Sequence, residues 1–306
     1  MVLVSPKFTG AAETAWSLSA EDRERALIAL KKQWSRDQGS TDTAIELSSL
    51  MFLQGRREEA SRTLIATHAQ TSKERDRFRL EQKVRVISRS FITASGAREY
   101  QGAVNALLAG NLKPALARLE TVLDSEHQVF DALVRKGQVE ALLGRYDSAA
   151  ETLRLANQIN PFESELKIWL GHVLLVRGEK VDGVQEIFSA WRMSGSEQKE
   201  RPHWRAWMAQ ALIASGRSGA ARRLIWSTAL EDSSKWTPES GWLIWGLARV
   251  EPSAKVLEKR FLNLFPGGYQ RQVGSSGLDL SWWDPKVFDA ERQGAEIKTE
   301  NPEKSR

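Results

Sequence analysis

The chain has 306 residues, 41% of them hydrophobic and 27% charged, with a formal net charge of +5 at neutral pH. These proportions are ordinary for a folded chain in water, and the length admits one or two compact domains or one solenoid. The absence of cysteine excludes disulfides, thiolate metal sites and cysteine nucleophiles together, while twelve Trp against three Tyr is an unusual balance.

The N-terminus, MVLVSPKFTG, lacks both a charged leader and an apolar core of signal-peptide length. Residues 1–18 are expected to be an extension, partly ordered at best. Ser19 followed by Asp22 reads as a capping-box start, and Ala26, Leu27, Leu30 and Trp34 then recur at helical spacing until Gly39-Ser40. From Thr41 a repeating pattern begins, with Ser48 small where helices would touch, Gly55-Arg56 at a turn, then Ala60 and Leu64. Lys73 to Ile92 differs: the spacing of Phe78, Leu80, Val84, Ile87 and Phe91 predicts one long, highly charged helix with an apolar stripe.

After Gly96 the pattern returns with Ala103, Gly110-Asn111, Ala115, Leu119 and Val122. It is clearest in Phe130 to Pro161, through Gly137, Gly144-Arg145-Tyr146, Ala149, Leu153, Ala156 and Pro161. A further unit carries Leu170-Gly171, Gly178, Gly183, Ile187 and Ala190, and a polar loop is expected from Ser194 to Arg201. Another carries Met208-Ala209, Gly216-Arg217, Ala221 and Ile225. The turn glycines at 110, 144, 178 and 216 are spaced by 34, 34 and 38 residues. Pro238 to Val250 and Pro252 to Phe265 read as a terminal helix pair without a turn glycine, each begun by a proline. A tail with Trp282 and Trp283 follows and ends in a polar stretch expected to be disordered.

The pattern has a physical reason. Packed helices lie about 8–10 Å apart, and the closest pairs need Gly or Ala where backbones meet. Glycine after a helix supplies the positive φ that ends it, and Pro161 blocks continuation of the next. One such pair cannot bury its apolar face alone, so copies stack.

On these residues the chain resembles the tetratricopeptide repeat family. The resemblance implies an all-α, right-handed superhelical solenoid of such helix pairs over residues 19–265, closed by capping helices. Repeats are expected at about 41–70, 96–125, 130–161, 164–194 and 202–231, with a cap at 238–265 and a Trp-containing, partly disordered tail at 266–306. The family binds through a concave face lined by the first helix of each pair. Carried onto this chain, that rule points to Tyr100, Val104 and Leu107, to Asp131, Val134 and Gln138, to Glu165, Ile168 and His172, and to His203 and Gln210. The expected groove is apolar with scattered polar groups. It lacks the Lys, Arg and Asn that a carboxylate-gripping member needs, so an apolar extended or helical segment fits better.

Two other constellations stand out. Trp191, Trp204, Trp207, Trp226, Trp236, Trp242 and Trp245 crowd one region, either as fillers between helices or as binding anchors. Between Lys73 and Arg98, eight basic residues stand against three acidic ones, a local excess equal to that of the whole chain. Within it Arg77, Arg79, Lys83 and Arg85 form a basic patch that could attract phosphate, although interleaved acids favour a solvated helix face.

The sequence contains no GxSxG, phosphate loop or HExxH, and His68, His127, His172 and His203 have no ligand spacing. No catalysis, cofactor or metal is expected. The longest apolar run, Trp169 to Val176, is interrupted by Gly171 and His172 and is too short to span a bilayer. The expectation is a non-catalytic cytoplasmic adaptor for a protein or peptide segment, with the periplasm as the alternative compartment if a leader has been removed. The rival functions are self-assembly into a homo-oligomer, and anionic-surface or nucleic-acid binding through residues 73–98.

Overall fold

Ser19 caps a helix: its side chain accepts from the Asp22 amide and donates to the Asp22 carboxylate, closing the first turn. A computed structural model describes residues 19–91, 93–200, 202–229 and 255–264, and every element among them is a helix. The chain divides into two compact units, Met1–Leu166 and Lys167–Arg306. It is an all-α, solenoid-type fold of antiparallel helix pairs.

The first unit contains α1 (Ala20–Arg36), α2 (Thr41–Leu53), α3 (Arg57–Gln70), α4 (Glu74–Arg89), α5 (Ala94–Leu108), α6 (Leu112–Ser125), α7 (Phe130–Leu142) and α8 (Tyr146–Ile159). Helix α9 (Ser164–Val176) begins in this unit and continues in the second. α2 pairs with α3, α5 with α6 and α7 with α8. The turn inside each pair repeats one device. At Gly144, φ is 76°; its N–H donates to the Ala141 carbonyl at 3.0 Å and the Arg145 N–H to the Glu140 carbonyl at 2.9 Å. These two bonds satisfy carbonyls that a helix end otherwise leaves open. The same pair of bonds and a positive φ recur at Gly55, Gly110, Gly178 and Gly216.

Two apolar cores fill this unit. Leu27, Leu47, Leu64, Leu80, Val84 and Ile87 hold α1–α4, and Ala103, Leu107, Leu119, Val122 and Val139 hold α5–α7. Each fully buried Leu or Ile contributes about 1.5–3 kcal/mol relative to exposure. Helix α4 forms as the charged stretch predicts, with one difference. Phe78, expected in the apolar stripe, is 60% exposed, because α4 turns the face carrying Leu80, Val84 and Ile87 towards α2 and α3. Phe91 lies beyond the helix end and packs on Tyr100, with ring centroids 5.2 Å apart.

The second unit contains the rest of α9, then α10 (Lys180–Met193), α11 (Ser196–Glu200), α12 (Pro202–Ala214), α13 (Ser218–Ala229) and α14 (Lys255–Leu264). The stretch expected as a polar loop contains the helical turn α11. There Gln198 Oε1 accepts the Gly195 amide and the Lys199 N–H reaches the Gly195 carbonyl. α9 and α10 meet where both are glycine: a Cβ on Gly171 would lie 2.8 Å from the Gly183 carbonyl oxygen and 2.6 Å from Ile187 Cγ1. Trp169, Trp204 and Trp207 are buried together, with centroid separations of 5.8 Å (169–207) and 6.3 Å (204–207). These three tryptophans fill the interior. The expected first helix of the terminal pair, residues 238–250, and Trp236, Trp242, Trp245, Trp282 and Trp283 lie outside the described residues.

His172 is buried beside Trp169, ring centroids 6.4 Å apart. Burial drives its pKa down to about 3, against a hydrogen bond with Gln210 that favours the charged form. The imidazole is therefore neutral in the fold.

Two outcomes follow from this packing. Gly171→Ala should destabilise the protein by about 1–3 kcal/mol, since the added methyl meets backbone that cannot yield. Gly219→Ala, whose Cβ meets only Arg223 Nη1 at 3.9 Å in a helix, should stabilise by about 0.5–1 kcal/mol. Urea unfolding of both variants checks the opposite signs. For His172, an unfolded chain takes up a proton below pH 6.5 and the folded one does not until about pH 3, so stability falls across that window as pH drops. At pH 5 the loss from this group is about 2 kcal/mol relative to pH 7. The difference between wild type and His172→Leu in urea midpoints across that range should display it, and parallel pH profiles would refute it.

Candidate functional site

Helix α7 carries Asp131, Arg135 and Gln138 at i, i+4 and i+7, a spacing that puts all three on one side of a helix. Each is joined to a neighbouring element. Arg135 Nη1 donates to Gln138 Oε1 at 2.8 Å, and Gln138 Nε2 reaches Glu165 Oε1 at the start of α9 at 3.4 Å. On α5, Tyr100 is hydrogen-bonded to Arg135. From α4, Arg89 Nε lies 3.3 Å from Asp131 Oδ1 and its Nη2 lies 3.1 Å from Glu163 Oε2, while Arg85 Nε donates to Glu163 Oε1 at 2.7 Å. The Arg89 guanidinium also sits over the Phe130 ring, 5.7 Å from its centroid.

The electrostatics follow from partial burial. Desolvation pushes the Asp131 carboxyl upward; Arg89 and Arg135 pull it back, and Glu163 and Glu165 add to the rise. Desolvation likewise raises Tyr100, with Asp131 adding to it and Arg135 opposing. The result is a line of alternating donors and acceptors, half-shielded from water, along one side of α7. Such a line can meet both backbone and charged side chains of another chain.

The structure sorts the sequence-predicted positions. Tyr100, Val104 and Asp131 are half-buried and Glu165 is exposed, and Gln138 is buried but sits in the hydrogen-bonded line. Leu107 and Val134 are buried, Leu107 within the second core. Ile168 and His172 are buried in the second unit, and Gln210 there partners His172. The side chain of His203 lies outside the described residues. Of the predicted members in the first unit, Leu107 and Val134 are spent on packing between helices, and Tyr100, Val104, Asp131 and Glu165 remain accessible. Arg85 had been assigned to a separate basic patch; Arg89, Arg135 and Glu163 were not singled out, since their roles depend on partners distant in sequence.

The basic patch is engaged within the chain. Arg77 Nε donates to the Thr71 carbonyl at 2.7 Å, and Arg79 reaches Asp42 at 2.7 Å and Asp76 at 3.4 Å. Arg85 is held by Glu163, and burial brings Lys83 down to about 8. Among the described residues, no cluster of three or more His, Asp or Glu is arranged to hold a metal ion. Among the same residues, no helix is long and apolar enough to cross a membrane.

No family model and no curated protein matches this sequence. Solved structures do align with it. A structure from the functional characterisation of Pseudomonas aeruginosa pilF is 20% identical, covers 77% of this chain and 97% of its own, and gives a TM-score of 0.44. A tetratricopeptide repeat protein from Parabacteroides merdae is 16% identical, covering 91% of this chain and 97% of its own, at a TM-score of 0.42. MamA from Desulfovibrio magneticus RS-1, residues 41 to the end, is 16% identical, covering 66% and 98%, at 0.39. The chain's own helix pairs, glycine turns and small-residue contacts are of the tetratricopeptide type, and its fold is tetratricopeptide-repeat-like.

Proposed function

We propose that the chain is a non-catalytic interaction scaffold that takes up a segment of another protein along α7. The observation that supports this reading is the line Tyr100–Arg135–Gln138–Glu165 with Asp131 beside it, contributed by α5, α7 and α9. An extended segment suits this line better than an apolar helix. Its backbone N–H groups find carboxylates in Asp131 and Glu165, and its carbonyls find a donor in Arg135, which buried Gln138 holds in place. Val104, half-buried beside Tyr100 on α5, supplies apolar contact. Phosphate binding by α4 is the weaker reading, because Arg77, Arg79 and Arg85 already hold partners in the chain.

A photo-reactive phenylalanine analogue introduced at Val104 should cross-link a protein partner in native lysate. The same group at Arg154, exposed on α8, should not. Tyr100→Ala with Arg135→Glu should lower the Val104 yield by about tenfold or more with helical circular dichroism unchanged. Equal cross-linking from Arg154, or a yield indifferent to the double substitution, would overturn the proposal.

A further inference from the structure

Helix α7 has a second side. The recognition line uses Asp131, Arg135 and Gln138, while Leu133, Lys136 and Glu140 lie roughly half a turn away around the same helix. There a cavity of about 480 Å³ lies between the last turns of α6 and the middle of α8. Its size is that of a ligand site. Leu123 from α6, Leu133 from α7 and Leu155 from α8 form its apolar lining. Leu123 and Leu155 are only half-buried, so both still offer apolar surface to the space. His127 and Glu151 also line it and are exposed, so the cavity is open to water.

The polar part of the lining is firmly held. Lys136 Nζ donates to Glu140 Oε1 at 2.5 Å, and Thr152 Oγ1 donates to Glu140 Oε2 at 2.8 Å. Glu140 and Thr152 are buried, and Lys136 lies within 3.4 Å of the Thr152 hydroxyl. An ammonium group has three N–H donors, so Lys136 keeps one beyond these two contacts. The connection that closes one end of the cavity is pinned as well. Gln128 adopts a left-handed backbone (φ 64°), a strained choice for a residue with a side chain, and its amide donates to Glu58 on α3 at 2.6 Å. Glu126, two residues earlier, accepts from the Thr93 N–H at 2.7 Å and from its hydroxyl at 2.5 Å. Walls held in this way have little freedom left to lose when a ligand arrives.

Charge decides what the space suits. Glu151 lines it, and Glu120 and Asp124 stand exposed on α6, three residues before and one after Leu123. Among the described residues none of these three carboxylates has a side-chain partner. Asp131 and Glu163, by contrast, are matched by Arg89 and Arg85. The charge of Lys136 is already answered by Glu140, which leaves the rim negative on a chain of net charge +5.

We propose that this cavity is a second docking site, which takes a segment of another protein carrying an aliphatic side chain beside a lysine or arginine. The aliphatic group packs on Leu123 and Leu155, the neighbouring cation meets Glu151 and Asp124, and Lys136 gives its remaining N–H to a backbone carbonyl of the segment. The site shares no residue with the Tyr100–Arg135–Gln138 line and does not rest on that reading.

The probes are three capped pentapeptides, Gly-Lys-Leu-Lys-Gly, Gly-Glu-Leu-Glu-Gly and Gly-Lys-Ser-Lys-Gly, titrated into the full chain with its Leu and Val methyl groups labelled for NMR. The Lys-Leu-Lys peptide should shift the Leu123 and Leu155 methyl signals saturably, with Kd below about 1 mM, and leave Val104 unmoved. The acidic and serine peptides should bind about tenfold or more weakly, and so should the Lys-Leu-Lys peptide on Asp124→Lys with Glu151→Lys. Both substituted positions are exposed, and unchanged methyl signals away from the cavity verify the fold of that variant. No saturable shift, equal affinity for the acidic peptide, or affinity indifferent to the double substitution would overturn the proposal. Shifts centred on Val104 would do so too, because they would put the peptide on the other side of α7.

Discussion

Two helices can approach backbone to backbone only where neither has a side chain in the way. Here the Gly183 carbonyl stands 2.8 Å from the place a Cβ on Gly171 would occupy, and at Gly137 a Cβ would meet Leu153 Cγ at 2.6 Å. That approach fixes the depth of each pair, and depth decides which residues reach the interior. Leu153 and Ile187 fill the seam because the glycine opposite leaves room, and both are fully buried. The turn bonds around Gly144 and Gly178 then set each second helix at the start of its return path. A stack built this way leaves some side chains of the first helices outside the cores, where Asp131 and Glu165 make polar pairs with Arg89 and Gln138.

The same local rules explain what could be read from the sequence. A turn glycine, a capping serine at 19 and a stop at Pro161 act within a few residues, so their meaning survives in the linear chain. The helix over Glu74–Arg89 was legible for the same reason. Its facing was not. Phe78 lies at helical spacing with Leu80 and Val84, but which residues a helix hides depends on where its neighbours lie. Leu107 and Val134, expected in the groove, are buried by the same logic: adjoining helices cover them.

Polar pairs over long separations were least legible. Arg85 meets Glu163 across 78 residues, Arg79 meets Asp42 across 37, and Thr93 meets Glu126 across 33. Counting charge along α4 gives an excess of cations; placing α4 in the fold removes much of it, since acids from α2, from the α8–α9 connection and from α7 come to it. A local surplus in sequence is therefore not a surface field. It is here the means by which one helix is tied to several others.

Those ties also separate strength from specificity. An apolar contact between α1–α4 and the later helices would bind more firmly but would tolerate sliding, since hydrophobic attraction has no direction. Phe162 against the first core supplies some of that attraction. The carboxylate of Glu126 accepts from both the amide and the hydroxyl of Thr93, which fixes the register of the connection to a single residue. Gly96 preserves that register, because a Cβ there would reach within 2.4 Å of Glu126 Oε1. The junction is thus specific in geometry and modest in net stabilisation.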